Sequence, residues 1–229
     1  MQAADQRARR PLVTLSYAQT LDGRIATLGG SSECISAPES LRFTHRLRAE
    51  HDAIMIGAGT ACADNPRLTV RLVDGPDPLR VVVDSSLRTP LDAAVLAPSA
   101  APGTLLAVTE RAPLRRCREA QRLGATVLRL PSDDQGRVDL PALLGALGER
   151  EVETVMVEGG AGLITSFLRT RLADRLAVCI APKILGCGRE AVGDLGIRDV
   201  AGSLTLNGTS VTAYGEDLVV DGLVHYPDA

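Results

Sequence analysis

The chain has 229 residues, 45% of them apolar and 23% charged. Ordinary globular usage at this length buries roughly 70% of the unfolded surface, so a core forms without disulfides or metals. The net charge of −3 and an aromatic content of 2% argue against a nucleic-acid partner, which requires a basic surplus and stacking rings.

Residues 1–10 are polar and basic and are expected to form a flexible tail ahead of one domain over 11–229. No apolar segment follows the tail, so no signal peptide is expected. The longest uncharged stretch, 93–109, contains Pro98, Pro102 and Gly103, which excludes a spanning helix and a membrane partner. Cys34, Cys62, Cys117, Cys179 and Cys187 show no C-x-x-C spacing and read as reduced, mostly buried thiols of a cytoplasmic protein. His45 and His51 lack the H-E-x-x-H spacing and read as surface histidines on a helix, so no metal is expected.

In chain order, an aliphatic run at 12–15 predicts a strand that ends in the Leu21-Asp22-Gly23 turn. Ser36 then suits a helix N-cap, with Pro38 in the first turn and Glu39 as its capping partner, and the helix runs to about Glu50. Strands follow at 53–56, 79–83 and 105–108, then a helix at 113–123 and a strand at 125–130. A helix at 139–149, a strand at 154–157 and a glycine-led helix ending near Arg171 complete the alternation. Beyond it, strands at 175–180, 211–214 and 217–224 have little helix between them. The pattern predicts an α/β fold, a mostly parallel central sheet with antiparallel C-terminal strands.

Three segments could carry chemistry. In Val157-Glu158-Gly159-Gly160-Ala161-Gly162 a buried strand passes through glycines into a helix N-terminus. That arrangement suits a phosphate, although a tight turn alone also requires such glycines. Glu158 stands at the C-terminal end of a strand, where open α/β sheets place ligands. A second strand ends at Gly57-Ala58-Gly59-Thr60, followed by Asp64, Arg67 and Arg71: either an ordinary surface loop or, where two arginines converge, a phosphate site. The third, residues 12–26, leads a strand into an Asp-Gly turn, and no Ser-His-Asp or Cys-His arrangement accompanies it.

Thr20-Leu21-Asp22-Gly23-Arg24-Ile25-Ala26, Asp64-Asn65-Pro66-Arg67-Leu68-Thr69-Val70-Arg71, Val157-Glu158-Gly159-Gly160 and Ile180-Ala181-Pro182-Lys183-Ile184-Leu185-Gly186 strongly resemble the riboflavin-biosynthesis pyrimidine reductases. These are the reductase half of a bifunctional deaminase/reductase, also found as stand-alone archaeal and fungal enzymes. The blocks occur in the family's order across about 11–224. Ser16 replaces a lysine common in the bifunctional enzymes and Cys34 replaces a frequent aromatic, so the chain resembles the stand-alone branch. The zinc pattern of the deaminase half, H-x-E with P-C-x-x-C, is not in this sequence, and deamination is expected from a separate protein.

The resemblance implies a dihydrofolate-reductase-like three-layer fold and an NADPH-dependent oxidoreductase that reduces the ribosyl group of a phosphoribosylamino-pyrimidine to ribityl. It implies a cofactor face of Ala18, Cys34, Thr60, Asp64 and Ser85, with Gly160, Ala161, Gly162, Leu163, Ile164, Thr165 and Ser166 holding the cofactor's phosphates. Ser32, Arg48, Leu68, Arg71 and Glu158 are the implied substrate residues, with Glu158 at the reacting end in a catalytic role. Arg48 and Arg71 together are expected on the 5′-phosphate. A homodimer is expected, both from relatives and from an apolar C-terminal sheet edge. The alternatives are a same-fold reductase of a dihydropterin or a specialised metabolite, and a nucleotide sensor without turnover; a phosphate requirement separates the first, and turnover the second.

Overall fold

Each aliphatic run becomes a strand, and the segments between them become helices or turns. The computed structural model describes residues 10–33 and 35–227. Its strands and helices, in chain order, are β1 (Leu12–Thr20), β2 (Arg24–Thr27), α1 (Pro38–Glu50), β3 (Ala53–Gly57), α2 (Ala58–Asp64) and β4 (Leu79–Val83). They continue with β5 (Thr104–Val108), α3 (Leu114–Arg122), β6 (Thr126–Arg129), α4 (Leu140–Gly148) and β7 (Thr154–Val157). The last are α5 (Ala161–Arg169), β8 (Arg175–Ala181), β9 (Gly188–Glu190), β10 (Thr205–Tyr214) and β11 (Asp217–His225). The fold is α/β, with mostly parallel strands and antiparallel ones toward the C-terminus, as the alternation implies.

The chain divides into two compact units, one built mainly from 48–70 and 74–155, the other from 13–47, 71–73 and the chain from 156 onward. In the first, β3, β4, β5 and β6 run parallel in that order, pairing Ile54 with Arg80, Val81 with Leu105 and Leu106 with Val127. Parallel strands covered on both faces read as continuous aliphatic runs, and β5 is buried at every position. Ile54, Ile56, Leu68, Val82, Leu87 and Leu106 form the centre of its core. Each such side chain contributes about 1.5–3 kcal/mol by leaving water. Arg80 is the polar exception in β4; its guanidinium donates to Thr104 Oγ1 at 3.2 Å and to the Ala100 carbonyl at 2.8 Å.

In the second unit β1 runs parallel to β8, with Ala18 opposite Cys179. β11 lies antiparallel to β8, and β10 antiparallel to β11. β2 and β9 form a separate antiparallel ribbon.

Several local expectations change. Helix α1 starts at Pro38, so Ser36 is not its cap. The buried carboxylate of Asp217, on β11, instead holds the start of the helix, accepting from the Ala37 N–H and the Ser40 hydroxyl, each at 2.6 Å. It also accepts from Cys179 Sγ at 3.4 Å, and burial pushes that thiol up to about 11. His45 and His51 are buried rather than exposed. Of the described cysteines, Cys117 and Cys179 are buried, whereas Cys62 and Cys187 are exposed. Cys34 lies outside the described residues. Among the described residues no helix is long and apolar enough to cross a membrane.

Candidate active site

Two of the four sequence blocks meet in the second unit. Asp22, in the Asp-Gly turn between β1 and β2, accepts from the Gly186 N–H at 2.6 Å and from the Leu185 N–H at 3.2 Å. The Leu21 N–H donates to the Lys183 carbonyl at 2.8 Å. Thr20 Oγ1 donates to Asp22 at 2.5 Å and accepts the Arg24 N–H at 2.9 Å. The Thr20 hydroxyl above all, and then the Gly186 and Leu185 amides, hold the Asp22 carboxyl down to about 2. Side chain and backbone together thus clamp the segment after β8 onto the turn after β1.

The glycine turn lies in the same unit. Gly159 has φ 98° and Gly160 φ 83°, both in the left-handed region that only glycine occupies without strain. A Cβ on Gly159 would meet nothing within 4 Å, so conformation rather than crowding requires glycine there. Gly160 is the N-cap of the nine-residue α5 and supplies no side-chain acceptor, which leaves the helix's first N–H groups unsatisfied by a cap. Within the expected phosphate segment, Ile164 and Thr165 are buried. Thr165 Oγ1 donates to the Ala161 carbonyl at 2.6 Å and accepts the Gly193 N–H at 2.8 Å. Ser166 Oγ donates to the Gly162 carbonyl at 2.8 Å. The Leu163 N–H already donates to the Gly160 carbonyl at 2.9 Å, so the segment offers a ligand the backbone at Ala161 and Gly162 before its side chains. Glu158 and Ser32 are half-buried, as is Ala18 on β1, and Arg71 is exposed.

In the first unit, Thr60 lies in α2 and Asp64 ends it, where the sequence reading has a loop. Leu68 has φ 54°, unusual for leucine, and its side chain is 1% exposed within the core, so it presents backbone rather than side chain. Arg48, late in α1, donates through Nη1 to the Thr69 carbonyl at 2.9 Å. Arg48 and Arg71 belong to different units, and each is placed by its own contacts.

Ser85 follows β4 in a tightly held turn. Its carbonyl accepts from the Thr109 N–H at 3.0 Å and the Thr109 hydroxyl at 2.9 Å, and its Oγ accepts the Val138 N–H at 3.0 Å. A hydroxyl that accepts one bond still has a hydrogen to donate. Asp84 closes the turn through Oδ2, which accepts the N–H and hydroxyl of Thr89, both at 2.7 Å. Arg116 donates to the carbonyls of Leu87 and Thr89, both at 2.8 Å. Sequence reasoning assigns no role to Asp84 or Asp217, and it reads His45 as a surface residue although it is buried. In α1 the buried positions are Ser40, His45 and Leu47 while Leu41 is 44% exposed, so no apolar period marks them.

The model of the RibD C-terminal domain family matches residues 11–220. The chain belongs to this family. Over 218 residues it is 45% identical to a 2,5-diamino-6-ribosylamino-4(3H)-pyrimidinone 5′-phosphate reductase of Methanothermobacter thermautotrophicus, covering 93% of this chain and 97% of that protein. It is 42% identical over 212 residues to the riboflavin biosynthesis protein RibD of Aquifex aeolicus, covering 92% of this chain but only 57% of the relative. Among solved structures, RibD of Acinetobacter baumannii superposes with a TM-score of 0.82 at 26% identity, over 94% of this chain and 58% of that one. The chain thus spans little more than half of these two RibD proteins and nearly all of the archaeal reductase. Among the described residues of this RibD C-terminal domain, no group of three or more His, Cys, Asp or Glu is placed to hold a metal ion.

Proposed function

We propose that the chain is the reductase of riboflavin biosynthesis that uses NADPH to convert the ribosyl group of a phosphoribosylamino-pyrimidine to ribityl. The observation that carries this reading is the match along nearly the full length of an archaeal protein named for reducing 2,5-diamino-6-ribosylamino-4(3H)-pyrimidinone 5′-phosphate. The glycine turn supports a nicotinamide dinucleotide: left-handed backbone, open space and an uncapped helix N-terminus suit a pyrophosphate. When bound, the cofactor supplies the hydride. The backbone of Gly160 to Gly162 holds its phosphates, the Ser85 hydroxyl donates to one of its acceptors, and Ala18, Thr60 and Asp64 complete the assignment. Substrate contacts fall to Ser32, Arg48, Arg71, Glu158 and the Leu68 backbone. Glu158 binds the reacting end, and the arginines bind the phosphate by charge-assisted hydrogen bonds. The same reading makes the chain a homodimer.

The test is cofactor oxidation with NADPH and with NADH, assayed side by side on the diamino pyrimidinone and on its deaminated counterpart, each with and without the 5′-phosphate. The expected result is turnover with NADPH of one phosphorylated pyrimidine. Equal handling of phosphorylated and dephosphorylated substrates counts against the phosphate site.

A further inference from the structure

His45 is 4% exposed on α1, and its Nδ1 lies 2.9 Å from the backbone nitrogen of Arg71. An amide nitrogen can only donate, so Nδ1 must accept and carries no hydrogen. The ring is thereby fixed as the neutral tautomer with its hydrogen on Nε2. The neighbouring backbone groups are also held by side chains: the Val70 N–H donates to Asp77 Oδ1 at 2.6 Å, and the Leu72 carbonyl accepts from Arg42 Nη1 at 3.2 Å. Residues 70–72 lie in neither helix nor strand, and Arg71 and Leu72 are exposed. Without these bonds nothing in a sheet or helix ladder would fix where the Arg71 side chain begins. An arginine that must meet a phosphate dianion in a fixed geometry gains from a fixed Cα, because less freedom is lost on binding.

We propose that His45 is a positioning residue for substrate binding: its neutral imidazole anchors the Arg71 backbone so that the guanidinium is presented to the phosphate of the substrate. The inference rests on the assignment of Arg71 to that phosphate. The contribution of His45 passes through the Arg71 backbone.

Three variants of the full chain and their combination test this. Arg71→Ala should raise KM for the phosphorylated pyrimidine roughly thirty- to a hundredfold, the loss of a charge-assisted contact. His45→Leu removes the acceptor and should raise the same KM about tenfold, with little change in kcat or in KM for NADPH. His45→Asn offers Oδ1 at nearly the same place and should restore KM to within about threefold of the parent. The double variant His45→Leu with Arg71→Ala should be no worse than Arg71→Ala alone, because two residues acting through one contact are not additive. Multiplying effects, or an equal rise in KM for NADPH, overturn the positioning role while leaving the Arg71 assignment intact. An Arg71→Ala enzyme with unchanged KM overturns that assignment and this inference with it. Nitrogen NMR of histidine-labelled, unmodified protein gives an answer independent of variant folding: an unprotonated Nδ1 at neutral pH is expected, and a protonated one overturns the proposal.

Discussion

At position 160 the backbone holds φ 83° and ψ 105°, and the residue before it has φ 98°. A side chain in left-handed conformation costs roughly 1–2 kcal/mol, so glycine is retained here for conformation as well as for access. Gly160→Asp adds a negative charge at the N-terminal end of α5 and should weaken NADPH binding by about 1–3 kcal/mol in titration calorimetry. Gly160→Ala carries the strain without the charge, so its smaller loss isolates the electrostatic part. Unchanged affinity in a folded Gly160→Asp protein removes this turn from the cofactor site. Asp84 allows a second test at this scale. It is 1% exposed, and its Oδ1 has no hydrogen-bond partner among the described residues, whereas Oδ2 takes both bonds from the fully buried Thr89. Asp84→Asn keeps an acceptor for Thr89 and should unfold in urea within about 1 kcal/mol of the parent. Asp84→Ala leaves a buried N–H unpaired and should cost about 1–3 kcal/mol. A loss as large in Asn as in Ala would mean that the charge, not the acceptor, matters. Arg71, Glu158 and Gly160 stand within motif blocks, so the sequence singles them out as candidates. His45 and Asp217 are not, because each acts on a backbone group distant in the chain, 26 and 180 residues away.

Elements whose own residues bury apolar surface were legible, and those held by partners were not. β3, β4 and β5 are aliphatic runs, and their positions follow from the sequence to within a residue. Helix α2 is only seven residues, Ala-Gly-Thr-Ala-Cys-Ala-Asp, with Ala58 and Ala61 its buried positions; two glycines near a strand end read more naturally as a loop. β2 and β9 are short; the Arg24–Glu190 ion pair at 2.9 Å joins them and the Asp22 clamp lies just before β9, so no hydrophobic alternation marks the pair. That clamp carries a pH prediction. The folded pKa of Asp22, about 2, is depressed below the ordinary carboxylate value near 4. The stabilisation is therefore fully present above about pH 4 and is lost as pH falls through the folded value. The amide resonances of Leu185 and Gly186 should titrate together with a midpoint near pH 2, and in Asp22→Asn this titration should vanish. A midpoint near 4 would show that the carboxylate is not held by these donors.

For the whole molecule, helix and strand order gives the fold class, but strand edges lie in contacts that the sequence does not display. β10 is the clearest case: the reading places a strand at 211–214, whereas it starts at Thr205 and is exposed along nearly all its length. With so little burial, no alternating pattern had reason to appear. It pairs with β11, and a register shift between Asn207 and Ser210 interrupts the ladder. Such a bulge discourages strand addition at the open edge. The faces differ. Val211 stands opposite Val220 and Ala213 opposite Leu218, which puts four apolar side chains on one side of the pair. Val211 is 61% exposed and Leu218 47%. The homodimer is therefore expected to form by packing this face on its copy about a two-fold axis, burying each stripe against the other, rather than by joining strand edges. Light scattering at micromolar concentration should give twice the mass of the chain. Val211→Lys combined with Leu218→Lys places two pairs of like charges at the contact and should shift the protein to monomer, with its circular dichroism unchanged. A monomeric parent would overturn the dimer. A dimer that survives both substitutions would place its interface on another surface.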